Sequence, residues 1–556
     1  MVNLCRKFSL LLILFFLGAC ASKMKDQMKD YREAYSIGDY DKAEKLLNSS
    51  ELKKDKRSEL LWHLEKGSVA SARSDETKAI SHFQAALELI DKLFTTKLSA
   101  KASSLLINDA SDEFYGASYE RSFAHYYLSK AYYARYLKTQ NKLDLQGARG
   151  TILAWDTYFT ELQRSATYKT LYHTDLMLKI FGGQVHEISQ IKNDQQIALQ
   201  LYKDALKILE VEGGIFSLFN KKNVEYIKEY EASIKKGELP SRKLYDETLA
   251  YQDLKDFLHY KILAMTKEVR GFDFANQVKD LRPNTDIVKR VQTETGNVVI
   301  ILEEGLIPPK IGKPFNFGIK GAIASVDNQG AKAVIASVGV EFVTQFAMNK
   351  LGMGPTATAS PGSFIFAHSM TKLAVQEAAS EFELPMIENV PLVQRTEIFI
   401  LNSKGVVVSH SPLPVISENG DLARIVLEED VVARYTKTGT RVAIKHLIAI
   451  AAAIGVYKKL ESTNAGDFIA KTAAMGTYVA ASKGIAAMEK ADTRHWTTLP
   501  QALRMTELKL APGTYQVAVA NYSGTKAPAA PAQILGDIVV GSSGKSLHTL
   551  KIVAKP

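Results

Sequence analysis

The sequence has 556 residues, of which 23% are charged and 46% are hydrophobic, so the chain is long enough to bury more than one core. Its formal net charge of +10 is spread along the chain, without a lysine- and arginine-rich block interleaved with aromatic residues. Such diffuse basic charge does not indicate a nucleic acid partner.

The N-terminal residues have the pattern of a lipoprotein signal. Arg6 and Lys7 precede the uncharged stretch Phe8–Phe16, which is followed by the sequence Leu-Gly-Ala-Cys at Leu17–Cys20. The uncharged stretch is too short for a membrane span, which takes ~20 apolar residues, and is typical of a secretory signal peptide. The last four residues resemble the lipobox of bacterial lipoproteins, whose cysteine receives a diacylglycerol and whose new amino terminus is acylated, for example with palmitate.

This signal predicts that residues 1–19 are cleaved and that Cys20 carries the lipid anchor. Because Cys5 leaves with the signal, the mature protein has no thiol for a disulfide. Ala21 follows the cysteine, where an aspartate would have resembled an inner-membrane retention signal. We therefore expect an outer-membrane protein that faces the periplasm, with an ordinary secretory signal as the alternative.

Residues 20–282 are expected to be all helical, since they contain few prolines and show a period near 3.6. A small residue followed four positions later by a large one recurs at Ala43/Leu47, Ala79/Phe83, Ala154/Tyr158 and Ala198/Tyr202. The spacing from Ala43 to Ala79 is close to the ~34-residue period of tetratricopeptide (TPR) repeats. The pattern predicts a TPR-like solenoid, which commonly binds peptides, and a non-repetitive bundle is the alternative.

Tyr119, Tyr126 and Tyr133 are spaced seven residues apart and therefore form one stripe on a helix. Tyrosine offers a rigid apolar ring with a polar tip, which suits a partner-binding surface. Packing between neighbouring helices is the second interpretation of the same stripe.

Residues 283–556 are expected to be rich in β-structure. Short β-branched runs bounded by glycine and proline lie at 297–302, 315–319, 397–401, 406–408, 514–520, 534–540 and 547–553. Ala-rich helical insertions are predicted at about 331–349 and 441–488. The fold class is thus α+β and multidomain, with a β-sandwich-like second half. Because the composition changes near Pro283, we expect few contacts across that boundary.

The second insertion resembles a helical hairpin formed by residues 442–457 and 471–488. Gly476, Ala480 and Gly484 would form a ridge of small residues that allows a close helix contact. Packing against the sheet or a partner subunit is one role for the hairpin, and membrane association is another.

The sequence shows no clear catalytic or cofactor site. It lacks a G-x-S-x-G motif and any histidine and cysteine spacing typical of zinc, so we expect no metal and no cofactor. The one compact polar group is Asp492, Arg494, His495 and Trp496. An enzyme would pair His495 with Asp492 as an oriented base and use Arg494 to bind an anion. The structural interpretation makes Trp496 an anchor and pairs Asp492 with Arg494.

Several motifs together are similar to an uncharacterised family of bacterial envelope lipoproteins: the lipobox, Gly38–Ala43, Tyr119–Arg121 with His125, Gly305–Pro308, Ala491–Pro500 and Leu510–Tyr515. The Asp-Thr-Arg-x-Trp-x-x-Leu-Pro stretch within Ala491–Pro500 is its most specific part. The resemblance implies a TPR-like half joined to a β-rich half and an envelope location, with no established activity.

From these patterns we expect an adaptor or scaffold that binds an envelope protein through its helical half and the bilayer through its acyl anchor. It is not expected to be an enzyme. The alternatives are an enzyme that acts on wall polymer through Asp492, Arg494 and His495, or a subunit of a membrane-associated oligomer. A homo-oligomer is compatible with each.

The anchor can be tested by replacing Cys20 with alanine. We expect Cys20→Ala to yield uncleaved or soluble protein, because the thiol that receives the lipid is absent. Membrane fractionation and the apparent mass of the protein are the measurements. Cys20→Ala protein of normal mass in the outer-membrane fraction would contradict the prediction.

Overall fold

A computed structural model describes most of the folded chain. The described ranges are 24–99, 112–164, 175–189, 191–210, 242–293, 296–315, 382–388, 395–429, 466–542 and 544–552, with scattered residues in 228–238 and 438–460. The expected signal peptide at residues 1–19, the expected lipidation site Cys20 and the insertion expected at about 331–349 lie outside these ranges. The architecture is mixed α+β, as expected, with helices in the N-terminal half and sheets in the C-terminal half.

Helices account for nearly all of the described residues before residue 294. The first, α1, covers residues 24–36. It is followed by α2 Tyr40–Ser49, α3 Glu51–Lys54, α4 Glu59–Ala72, α5 Glu76–Ser99, α6 Ser118–Thr139, α7 Lys142–Arg164, α8 Leu176–Ile188, α9 Lys192–Glu210, α10 Arg242–Val269, α11 Phe274–Leu281 and α12 Thr285–Thr293.

Consecutive helices from α4 to α10 pack against one another. Glycines make the closest approaches possible: a Cβ atom on Gly67 would lie 2.6 Å from the ring of Phe83, and one on Gly183 would lie 2.5 Å from that of Tyr202. Phe83 follows the buried Ala79 by four positions, and Tyr202 follows the buried Ala198 by four. The α4–α5 and α8–α9 pairs therefore share one packing pattern.

The step expected at Ala154 and Tyr158 is wrong. Ala154 is exposed, whereas Trp155 and Phe159 are buried one position further along α7. The buried stripe of α7 also contains Ile152, so its register differs by one residue from the expected one. Indole burial determines the orientation of the helix here, because a tryptophan buries far more apolar surface than an alanine.

The C-terminal half forms three sheets. Sheet A has the strand order β10-β1-β7-β6, sheet B pairs β2 with β3, and sheet C has the order β5-β4-β8-β9. All neighbours pair antiparallel except β1 and β10, which are parallel. The strands are β1 Val298–Glu304, β2 Lys310–Phe315, β3 Phe382–Ile387, β4 Arg395–Leu401, β5 Val407–Pro412, β6 Val415–Glu418, β7 Ala502–Leu508, β8 Gly513–Tyr522, β9 Gln533–Val540 and β10 Ser546–Ile552.

Strand β1 lies between two cores. Val298, Ile300 and Leu302 contact side chains of sheet C, whereas Val299 and Ile301 belong to a core shared with the helices. Successive strand side chains point to opposite faces, so β1 is buried on both. This explains its continuous apolar run.

Strand β7 is adjacent to β1 in sheet A and was not predicted. Its sequence, Ala-Leu-Arg-Met-Thr-Glu-Leu, contains Arg504, Thr506 and Glu507, all of which are buried. Polar residues at these positions obscured the apolar pattern of a central strand.

The expected helical hairpin is described in part. Between β6 and β7 lie α13 Asn419–Glu429 and α14 Asp467–Met488, and the scattered described residues at 438–460, which include part of the expected first arm, are helical as well. Ala470, Ala474 and Tyr478 of α14 are buried. The ridge of Gly476, Ala480 and Gly484 is exposed instead, so the close contact expected for it is not made by the described residues.

The expectation of few contacts across Pro283 is wrong. One continuous core joins helical residues such as Phe83 and Tyr127 to Trp496, Val299 and Met505 of the β-rich half. A boundary in composition is therefore not a boundary in packing.

A fragment of the helical half tests this continuity. We expect residues 23–282 alone to lose the cooperative thermal transition of the 20–556 chain, because the helices would expose the apolar face that Trp496 and sheet A cover. Circular dichroism during heating is the measurement. A cooperative transition with full helical content in the fragment would contradict the expectation.

Candidate functional site

Asp492–Pro500, which links α14 to β7, occupies the inner face of the helical layer. Trp496 at its centre is fully buried. The centroid of its ring lies 5.8 Å from that of Phe83 and 5.4 Å from that of Tyr127. Its indole N–H donates to Oγ of Ser68 at 2.8 Å. The segment thus inserts between α4, α5 and α6.

The carboxylate of Glu65 in α4 holds the middle of this segment. It accepts hydrogen bonds from the backbone N–H of Thr497 at 2.6 Å, from the Thr497 hydroxyl at 2.8 Å and from the Tyr31 hydroxyl at 3.1 Å. The Thr498 hydroxyl donates to it as well. Burial raises the pKa of Glu65 to about 7 against the opposing effect of these donors.

Two further helical side chains bind the backbone of the segment. Glu120 in α6 accepts from the N–H of Trp496 at 2.6 Å. Arg32 in α1 donates to the carbonyl of Thr497 at 2.8 Å and to that of Ile307 at 2.7 Å. Since the segment is not part of a sheet, these side chains supply the partners that its buried backbone groups require.

Arg494 is the centre of a hydrogen-bonded polar group. Arg494 forms a two-point contact with Asp492, at 2.9 and 2.8 Å, and donates to the carbonyl of Asp112 at 2.9 Å. Nδ1 of His495 faces the carbonyl of Thr493 at 2.9 Å, so the Asp492–His495 pair of the enzyme hypothesis is not formed. Burial, with a contribution from Lys310, lowers the pKa of His495 to about 3.

The helices and sheet A also share buried charges. Glu303 of β1, 3% exposed, lies between Lys130 of α6 and Lys551 of β10, with the Lys551 ammonium at 3.0 Å. Burial alone would raise the pKa of Glu303, but the two ammonium groups lower it to about 2. Glu304 points to the other face, where it contacts Arg504 at 2.6 Å.

A second buried cluster joins side chains of α8, α10 and β7 and of Lys545, which directly precedes β10. Lys261 contacts Glu187 at 2.6 Å and also contacts Glu507. Lys545 contacts both of these glutamates, Glu507 at 3.1 Å. The Tyr202 hydroxyl donates to Glu187 at 2.8 Å. Each of the two lysines contacts both glutamates, so the two positive and two negative charges of the cluster balance.

The tyrosine stripe is buried rather than displayed. Tyr119, Tyr126 and Tyr133 are at most 2% exposed. The ring of Tyr126 lies 5.0 Å from that of Phe181, and the Lys130 ammonium lies 5.7 Å from the Tyr126 ring centre. These side chains pack between helices, and a partner has no access to them in this structure.

Sequence reasoning did not identify Glu65, Glu120 or the buried lysines. Glu65, Glu120, Lys130 and Lys261 lie on helices, where periodicity alone does not distinguish a buried charge from an exposed one, and Lys545 and Lys551 lie in or just before β10. The one usable signal was Glu303, because it directly continues the apolar run of β1.

The described residues and the comparisons give no further functional marker. Within the described ranges, no three or more His, Cys, Asp or Glu side chains gather closely enough to hold a metal ion. None of the described helices combines the length and apolarity needed to cross a bilayer. The chain matches no protein-family profile, no curated protein and no solved structure.

Truncation of Trp496 tests the role of the inserted segment. We expect Trp496→Ala to lower the free energy of unfolding by ~3–5 kcal/mol, because it leaves a cavity in the shared core. Ser68→Ala is the matched control: it removes only the acceptor of the indole N–H and should cost ~1 kcal/mol. Denaturant unfolding measures both. Equal, small effects of the two substitutions would show that Trp496 is not an anchor.

Proposed function

We propose that the protein is a lipid-anchored scaffold of the bacterial outer membrane. The lipid on Cys20 anchors it to the periplasmic face of that membrane. An envelope protein binds to its folded surface and is not chemically changed there. In this proposal a TPR-like solenoid supports a β-sandwich-like domain. The observation that carries it is the insertion of Asp492–Pro500 into the helical layer.

The repeated helix pairs support the solenoid interpretation. The α4–α5 and α8–α9 pairs carry the same residue types in the same order: Gly67, Ala79, Phe83 and Ala86 in the first, and Gly183, Ala198, Tyr202 and Ala205 in the second. The alanine and aromatic residues of both sets are fully buried. Stacked helical pairs commonly bind an extended peptide on one face. In this protein that face is covered by Asp492–Pro500 of the same chain. This arrangement suits a helical half that supports the β-rich half.

The packing of the polar residues favours a scaffold over an enzyme. A general base must reach the proton that it abstracts, directly or through one water. His495 is 5% exposed: its Nδ1 is directed at a backbone carbonyl, and its Nε2 is buried with no hydrogen-bond partner among the described residues. Arg494 is committed to Asp492 and to backbone groups of the helical half.

The outer face of α14 is the surface that we assign to the partner. Phe468 is 82% exposed, and Ile469 and Val479 on the same helix are also exposed. Single exposed apolar residues are common, but a group on one helix is typical of interaction surfaces. Gly476 lies between them with no neighbouring atom within 4 Å of a Cβ position.

Site-specific photo-crosslinking in cells tests this assignment. A photoreactive residue at Phe468 or Val479 should give an adduct of one defined mass, because both face the proposed partner. Phe272, which is 89% exposed on the helical half, is the matched control position and should give none. Identical patterns at all three positions would contradict the assignment. An adduct between two copies, with leakage of liposomes, would favour the membrane-associated oligomer.

The enzyme alternative is tested by His495→Gln. Glutamine retains a side-chain amide near the Thr493 carbonyl but cannot act as a base. We expect the variant to fold and to complement a deletion strain. A folded His495→Gln protein that fails to complement would favour the enzyme acting on wall polymer.

A further inference from the structure

His63 and His82 form a pair on the helical half, away from the inserted segment. His63 lies on α4 and His82 on α5, and both are half-buried. Their Nδ1 atoms are 3.2 Å apart. The ring of Trp62 contacts both histidines edge-on, at centroid distances of 5.0 and 5.5 Å.

The separation of the two nitrogens matches that of two ligands on one metal ion. Zinc binds imidazole nitrogens at about 2.0–2.1 Å, so two nitrogens at the tetrahedral angle would be about 3.3 Å apart. We propose that His63 and His82 form a two-histidine site for a divalent transition-metal ion, with water in the remaining coordination positions. The site is independent of the proposed scaffold function.

The charge state of the pair favours a metal over protons. Burial lowers the pKa of both histidines, and for His82 the positive charge of a protonated His63 adds to the effect, bringing the pKa to about 4. Both rings are therefore neutral at pH 7, and one shares its Nδ1 proton with the other. Metal binding moves that proton to Nε2 of the same ring, so no proton is released.

Nearby charges neither block nor complete the site. The groups that act on the two rings are Glu59 on α4, Glu44 on α2, Lys66 on α4 and Lys78 on α5. The Lys66 ammonium forms an ion pair with Glu44 at 2.7 Å, and the Lys78 ammonium forms one with Asp75 at 2.8 Å. Both ion pairs reduce the repulsion that these lysines exert on a cation. Glu59 adds negative charge one turn before His63.

The ligand set predicts which ion binds most tightly. Imidazole suits copper, nickel and zinc, and the affinity of such sites follows the order Ni²⁺ < Cu²⁺ > Zn²⁺. Two protein ligands make a weaker site than the closed four-ligand sites of structural zinc. The indole N–H of Trp62 has no acceptor among the described residues, and a water on the ion would supply one.

Trp62 provides a reporter for the test. Copper(II) sulfate is titrated into the full chain in detergent, in a Cys5→Ser/Cys20→Ser background that removes both thiols. We expect saturable quenching of tryptophan fluorescence, reversed by a large excess of zinc because zinc binds such sites less tightly than copper. His63→Gln and His82→Gln should each raise the Kd at least ~10-fold, because each removes one of two ligands.

Two controls separate the site from other causes. Trp62→Phe should lose most of the quenching while keeping the zinc affinity in calorimetry. His410→Gln, which removes a histidine that is 59% exposed on β5, should leave the copper Kd unchanged. Circular dichroism verifies that each variant is folded. An unchanged Kd in the folded double variant His63→Gln/His82→Gln would overturn the proposal.

Discussion

The pairing of buried charges between helices and strands is the constraint on which the rest of the structure depends. Glu303 of β1 is neutralised by Lys130 from a helix, and Glu507 of β7 by Lys261 from another. Removing one partner of such a pair leaves an uncompensated buried charge, which typically costs ~3–5 kcal/mol. The two halves therefore stabilise each other through these charge pairs.

The inserted segment adds backbone recognition to this charge pairing. Glu65, Glu120 and Arg32 bind the N–H, hydroxyl and carbonyl groups of Asp492–Pro500 in the way that a peptide-binding protein binds its ligand. Because the ligand belongs to the same chain, its binding contributes to folding instead of to partner capture. In the proposed scaffold the inner helical face is therefore structural, and partner binding is assigned to outward surfaces such as α14.

The proposed metal pair has a different physical origin from the buried clusters. Glu59 and Glu44 act on His63 and His82 less strongly than burial does, and burial disfavours the protonation of both rings. A neutral pair at this separation is suited to a soft or borderline cation. The helical half would then combine a rigid support for the β-rich half with a separate site at its surface.

The sequence by itself determined the helical and β-rich halves, because helical and strand periodicities are local properties of the chain. Six of the seven runs expected as strands lie largely within described strands, whereas only the first residue of 315–319 is described, at the end of β2. Only the tertiary structure decided what the polar residues do. Strand β7 and Glu65 were missed because their burial depends on partners hundreds of residues away, such as Thr497 for Glu65. Likewise, the tyrosine stripe is the same in sequence whether it faces a partner or a neighbouring helix, and packing determined that Tyr126 is buried.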